Sequence, residues 1–96
     1  MLTWVVYDIT ADKTSTRIAK RCLDYGLYRV QKSVFLGDID SNRVEEILLF
    51  SKELMDATTD SVYIFPMCRE DFDKVRIAGQ GFDSELVADE ILTKVI

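Results

Sequence analysis

The residues best able to do chemistry in this chain are carboxylates. Asp8 closes the stretch WVVYD at residues 4–8, and the polar segment ITADKT that follows carries Asp12 and Lys13. An acid at the end of a run that reads as a buried strand has three ordinary uses. It caps the next helix, pairs with a nearby cation, or ligates a metal. The chain has no histidine. That removes Ser-His-Asp and Cys-His catalysis, histidine general bases and histidine-bearing zinc sites. Acid–base or metal chemistry therefore falls to carboxylates, tyrosine, lysine or hydroxyls. Ser33 has neither a histidine nor an obvious lysine base beside it and is not read as a nucleophile. Cys22 and Cys68 are 46 positions apart and match no metal or redox spacing, so both read as reduced, semi-buried thiols.

The cations are unevenly spread. Residues 13–32 hold Lys13, Arg17, Lys20, Arg21, Arg29 and Lys32 against Asp24 alone, a local net of +5 in a chain whose total is −5. Such asymmetry points to an anion-binding face on an otherwise acidic body. Arg17, Lys20 and Arg21 recur at helical spacing, so that face is one side of one helix. Phosphate contacts from such a face give affinity without reading sequence. The same residues also fit a solvated helix face paired with the acidic remainder of the chain.

These side chains need elements to position them. Leu2–Tyr7, β-branched and aromatic, reads as a first strand. Thr14–Tyr25 reads as a helix with Ile18, Ala19, Cys22 and Leu23 as its apolar stripe and Gly26 as its stop. Tyr28–Leu36 alternates as a single second strand, with Tyr28, Val30, Lys32, Val34 and Leu36 on one face and Arg29, Gln31, Ser33 and Phe35 on the other. Gly37–Asp40 reads as a turn. Asp40 or Ser41 caps a second helix running to about Met55, with Val44, Ile47, Leu48, Leu54 and Met55 facing the core. Ser61–Met67 is a third strand whose Pro66 marks a strand end or an edge. Lys74–Gly79 reads as a fourth strand, reached through a polar loop over Arg69, Glu70 and Asp71. The expected architecture is α+β: a ferredoxin-like, βαββαβ-type fold with a four-stranded antiparallel sheet and two helices on one face. Residues 1–80 form its core. Residues 81–96 read as a docking tail or strand, for the chain's own sheet edge or a partner's.

The 96 residues suffice for a single domain with a modest core. No apolar run approaches the length of a membrane span, and the N-terminus lacks the pattern of a secretory signal. The expected compartment is the cytoplasm.

Two of these segments together resemble a known family. VVYDIT ends the first strand, a helix bearing Arg17 follows, and YRVQKSVFLGDI supplies the second strand. In length, element order and these motifs the chain resembles the small CRISPR-associated protein Cas2. The resemblance covers residues 2–79 well and the tail loosely.

The resemblance implies a homodimer that takes part in acquiring CRISPR spacers, bridging the integrase subunit and laying duplex DNA across its surface. It also implies magnesium-dependent (Mg2+ or another divalent cation) endonuclease activity on DNA or single-stranded RNA. Matched position by position, Asp8 becomes the metal ligand and catalytic acid. Tyr7, Arg17, Arg29 and Phe35 become its helpers, while Arg17, Lys20, Arg21 and Arg29 read from their charge as phosphate contacts. Some nuclease-active members carry a second arginine two positions before Arg17, where this chain has Ser15. Two Asp8 residues facing each other across a two-fold axis would make a fuller metal site than one. By its own strand periodicity Tyr7 points away from Asp8 and reads as a packing residue. Phe35 reads as a core or interface aromatic. Two other functions stay open at this stage: a non-catalytic duplex-binding scaffold, and a ferredoxin-like module that binds a small regulatory metabolite at a dimer interface.

Overall fold

The centre of the sheet is β1 (Leu2–Asp8), whose residues are buried along nearly its whole length, Asp8 excepted. A computed structural model of the chain describes residues 1–79. The remaining elements are α1 (Asp12–Asp24), β2 (Tyr28–Gln31), β3 (Val34–Asp38), α2 (Ser41–Leu54), β4 (Ser61–Met67) and the one-turn α3 (Arg69–Phe72). The strand order is β2-β3-β1-β4, and every neighbouring pair is antiparallel. This is the expected α+β, ferredoxin-like class, with β2 and β4 as the edges among the described residues.

The way the chain reaches that class differs from the sequence reading in two places. Tyr28–Leu36 is not one strand but a hairpin, β2 and β3 joined at Lys32–Ser33. The turn escapes notice because neither residue is Gly, Asn or Asp, and no non-glycine described residue has positive φ. Gly37 and Asp38, read as a turn, lie inside β3. A bulge between Arg29 and Gln31 shifts the register of β2. Arg29 consequently sits opposite Phe35, while Gln31 lines the other side of the sheet with Trp4 and Val34. Simple alternation had put all of Arg29, Gln31, Ser33 and Phe35 on one face; the bulge separates them.

The second difference lies after β4. The supposed polar loop at 69–72 is α3, whose Phe72 is buried and meets the Trp4 ring at 6.1 Å. Lys74–Gly79 forms no strand. The hairpin already supplies the fourth strand, and Val75 and Ile77 instead lie partly exposed beside an apolar cavity on the sheet. The expected docking tail, 81–96, lies outside the described residues.

Both faces of the sheet are apolar. Val5, Tyr7 and Phe35 face the helices and pack with Ile18, Ala19, Cys22, Leu27 and Ile47. Leu2, Trp4, Leu36 and Phe72 form a second cluster on the opposite face. Helix α1 ends as expected at Gly26, whose φ is +86°. The amides of Gly26 and Leu27 donate to the carbonyls of Leu23 and Cys22 at 3.0 and 3.1 Å, which closes the last turn. Leu23 leaves the predicted apolar stripe and is exposed. Helix α2 is capped by Asp40, whose carboxylate accepts from the Arg43 amide at 2.9 Å. Of its predicted core face Ile47 is buried, but Ser51 and Phe50 also turn inward where the periodicity had not placed them.

Candidate functional site

Asp8 ends β1 at the sheet's rim, opposite Ser61 of β4, and is exposed. Among the described residues no hydrogen bond or ion pair engages its carboxylate. Nor does it cap α1, whose N-cap is Ala11 with no side-chain bond. Two of the three ordinary uses of such an acid are therefore not taken up here. The loop that follows is held from elsewhere. The Asp60 carboxylate accepts from the Thr10 amide at 3.0 Å and from the Asp56 amide at 3.0 Å. These bonds hold the Asp60 carboxyl below its usual range. Asp60 thus tethers the chain just beyond Asp8, a part that no motif announced.

A cavity of about 210 Å3 opens beside Asp8, lined by Tyr7, Asp8, Ile9, Asp12, Ser15, Arg29, Lys32 and Ser33. It gathers two predicted residues, Tyr7 and Arg29, around Asp8. It also brings in Lys32, Ser33 and Asp12, which sequence reasoning had not assigned to a site. Lys32 arrives because the hairpin turn lies next to the end of β1. The Tyr7 amide donates to the Ser33 carbonyl at 3.1 Å.

Tyr7 itself is buried and stacks on Phe35 at 6.1 Å between ring centroids. Burial pushes its hydroxyl above the ordinary tyrosine range, and the nearby Arg29 guanidinium pulls the other way. Phe35 is fully buried in the core under the helices. Arg29 lies over the Phe35 ring at 5.4 Å. Its Nε and Nη2 both donate to the Lys32 carbonyl, at 3.0 and 2.6 Å.

The predicted basic helix face is divided. Arg17 and Arg21 lean over the Phe50 ring of α2 at 5.6 and 4.0 Å from its centroid. Arg21 also approaches Tyr25, and Arg43 lies over the same ring at 4.4 Å. A guanidinium stacked by its face keeps its N–H edge available for a phosphate. Lys20 instead pairs with Asp24 at 3.1 Å on the exposed surface, which is worth little. Arg17, Lys20 and Arg21 therefore share one shallow site with Asp24 and Phe50, separate from the Asp8 cavity.

For a metal, one chain supplies little. Among the described residues no three acidic or cysteine side chains are grouped to hold an ion. Asp8 and Asp12 line one cavity together with the serines Ser15 and Ser33. That donor set fits a hard cation which keeps several waters and takes one or two carboxylates plus a substrate phosphate. It does not fit a closed structural site.

Residues 1–75 match the family model described as CRISPR associated protein Cas2. The chain is 39% identical over 71 residues to the CRISPR-associated endoribonuclease Cas2 of Desulforudis audaxviator, covering 74% of this chain and 67% of that protein. It is 34% identical over 77 residues to the protein of the same name from Korarchaeum cryptofilum, covering 80% and 83%. Among solved structures, Streptococcus pyogenes Cas2 superposes with a TM-score of 0.68 at 28% identity, covering 82% of this chain and all (100%) of that one.

Proposed function

The chain belongs to the Cas2 family of CRISPR-associated proteins, and on that premise we propose that it is a nucleic-acid-binding homodimer of CRISPR spacer acquisition that hydrolyses phosphodiester bonds at Asp8. Its relatives from D. audaxviator and K. cryptofilum are named endoribonucleases, so single-stranded RNA is the first substrate to test and duplex DNA the second. One observation carries the reading: an exposed carboxylate with no partner among the described residues, at the rim of a cavity that also holds Arg29 and Lys32. Evolution of a stable fold gives no reason to leave an acid unengaged beside two cations.

Asp8, with Asp12 beside it, would hold magnesium; the ion, when bound, offsets charge on the phosphate and acidifies a water. Asp8 would hold that ion at the rim of the cavity where the phosphate binds. Positive charge lining the cavity offsets that of the phosphate oxygens as the water's oxygen bonds phosphorus and the leaving sugar oxygen departs with a proton. A second copy supplies a second Asp8, which answers the thin donor set of one chain. The apolar sheet face around Trp4 and Phe65 is the surface on which that copy docks. In the cytoplasm, the dimer joins the integrase subunit and carries duplex DNA over the arginines of α1.

The non-catalytic scaffold is kept as a second reading because no three-acid group is present among the described residues. Both readings are tested by titrating labelled single-stranded RNA and duplex DNA with wild-type protein and Asp8→Asn, with and without magnesium. Magnesium-dependent cleavage lost in Asp8→Asn, at an unchanged melting temperature, is the expected result. Tight, salt-sensitive binding by both proteins with no cleavage by either overturns the nuclease and leaves the scaffold. Absence of salt-sensitive binding by wild type would remove both and favour a metabolite-binding module.

A further inference from the structure

We propose that Lys32, rather than Arg29, is the cation that holds a backbone phosphate at the Asp8 cavity, and that Arg29 is a positioning residue which fixes the turn carrying Lys32. The inference rests on the nucleic-acid reading above.

Arg29 is already occupied. Two of its nitrogens meet the Lys32 carbonyl, and its guanidinium lies over the Phe35 ring directly across the hairpin. An arginine held by a bidentate contact on one edge and an aromatic ring on one face has lost much of its freedom to follow a ligand. What it does instead is tie β2 to the turn. The other side of the same turn is tied to β1, because the Tyr7 amide donates to the Ser33 carbonyl one residue before Asp8. The turn is thus anchored from both flanks, by the Arg29 side chain on one and a backbone bond to β1 on the other.

Lys32 sits at the tip of this fixed turn, exposed. Among the described residues its ammonium has no carboxylate partner, whereas Lys20 pairs with Asp24 and Lys74 with Glu70. It lines the Asp8 cavity and also a neighbouring groove of about 550 Å3 between α1 and the hairpin. That groove has Ala19 and Leu23 among its apolar lining and Ser15, Thr16 and Lys20 among its polar lining. A strand with one phosphate at Asp8 and Lys32 can therefore run its neighbouring nucleotide along the groove toward Lys20. A flexible stem bearing a point charge on a rigid turn suits a phosphate that must shift slightly as the bond breaks.

The test is a salt series of binding titrations on a labelled single-stranded RNA oligonucleotide, with wild type, Lys32→Gln, Arg29→Gln and Arg29→Lys. Melting temperatures are measured alongside. Lys32→Gln is expected to weaken binding at an unchanged melting temperature. It should also reduce the slope of log affinity against log salt by about 0.7, the value for one phosphate contact on a single strand. Arg29→Gln and Arg29→Lys should both melt earlier and bind more weakly, with the slope kept, since lysine restores the charge but not the bidentate grip. An unchanged slope in Lys32→Gln overturns the proposal while leaving the nucleic-acid reading intact. So does an Arg29→Gln slope that falls and is recovered by Arg29→Lys. If wild type itself shows no salt-dependent binding, the nucleic-acid reading falls and the proposal with it.

Discussion

Cys22, on the core-facing side of α1, is fully buried, whereas Cys68 is exposed at the start of α3. Burial pushes the Cys22 thiol up to about 12 from an ordinary 9.0, the nearby Arg29 only partly opposing it. A thiol held in its neutral form is a poor nucleophile. In native protein a chromogenic thiol reagent should therefore consume one thiol per chain promptly, and a second only in denaturant; two prompt thiols would show that Cys22 is accessible. The same burial makes stability depend on pH. A thiol whose folded pKa lies above its unfolded one contributes stability in full below about pH 9, and loses it as pH rises toward about 12. Tyr7 is shifted in the same direction and adds to the loss above pH 10. Cys22→Ala should be less stable than wild type at pH 7 yet lose less between pH 9 and 11, as followed by thermal melting. Ser51 presents the opposite case. Its hydroxyl is buried in α2 with no hydrogen-bond partner among the described residues. Removing an orphaned buried hydroxyl relieves a desolvation cost, and alanine is the better helix former. Ser51→Ala should gain about 1 kcal/mol in a denaturant titration; a loss of that size would mean that the hydroxyl has a bond of its own.

The β2–β3 hairpin decides most of what lies around Asp8, and its packing leaves little room. Gly37 of β3 lies against Leu27, where an added Cβ would come within 2.7 Å of the Leu27 side chain and 3.1 Å of its Cα. The side chain can give; the backbone cannot move without loosening the end of α1. Gly37→Ala should cost about 1–3 kcal/mol by overpacking, with the shift seen in the denaturation midpoint and little change in slope. This hairpin is also where the sequence was hardest to read. Asp8, the Gly26 stop, the Asp40 cap and the edge position of β4 were legible, because each rests on a local rule of caps, stops or alternation. The turn at Lys32–Ser33 was not, since Tyr28, Val30, Val34 and Leu36 do share one face and the alternation runs through the turn unbroken. The register bulge at Val30 has no sequence signature of its own. Lys74–Gly79 looked like a strand on β-propensity, which tertiary context overrides. Of the candidate site, Asp8, Tyr7 and Arg29 were found and do converge. Lys32 was counted in the basic stretch but not assigned to the site, because its place there depends on the unseen turn. Asp60 was missed outright: fifty positions separate it from Thr10.

At the scale of the molecule, α1 and α2 cover one face of the sheet, while among the described residues the other face meets, from the helices, only Phe72 of α3 and is not polar. Tyr63 and Phe65 of edge strand β4 remain 55% and 49% exposed there, stacked at 6.1 Å. Phe65 borders an apolar cavity of about 370 Å3 with Trp4, Val6, Val34, Met67, Val75 and Ile77. Aromatic side chains left on a sheet beside an edge unpaired among the described residues favour association. Under the proposed function the occupant is a second copy, which would add its own Asp8 to the Asp8 and Asp12 of one chain. Association and cleavage should therefore fail together. Phe65→Glu introduces a charge on the apolar face but leaves Asp8, the Lys32 turn and the helix-facing core untouched. Sedimentation equilibrium should show wild type as a dimer and Phe65→Glu as a monomer at the same concentration. The variant should lose magnesium-dependent cleavage while its melting remains cooperative. A wild-type monomer that cleaves would mean that one chain holds a sufficient site and that its own residues cover the apolar face. A dimer that survives Phe65→Glu would move the interface elsewhere on the molecule.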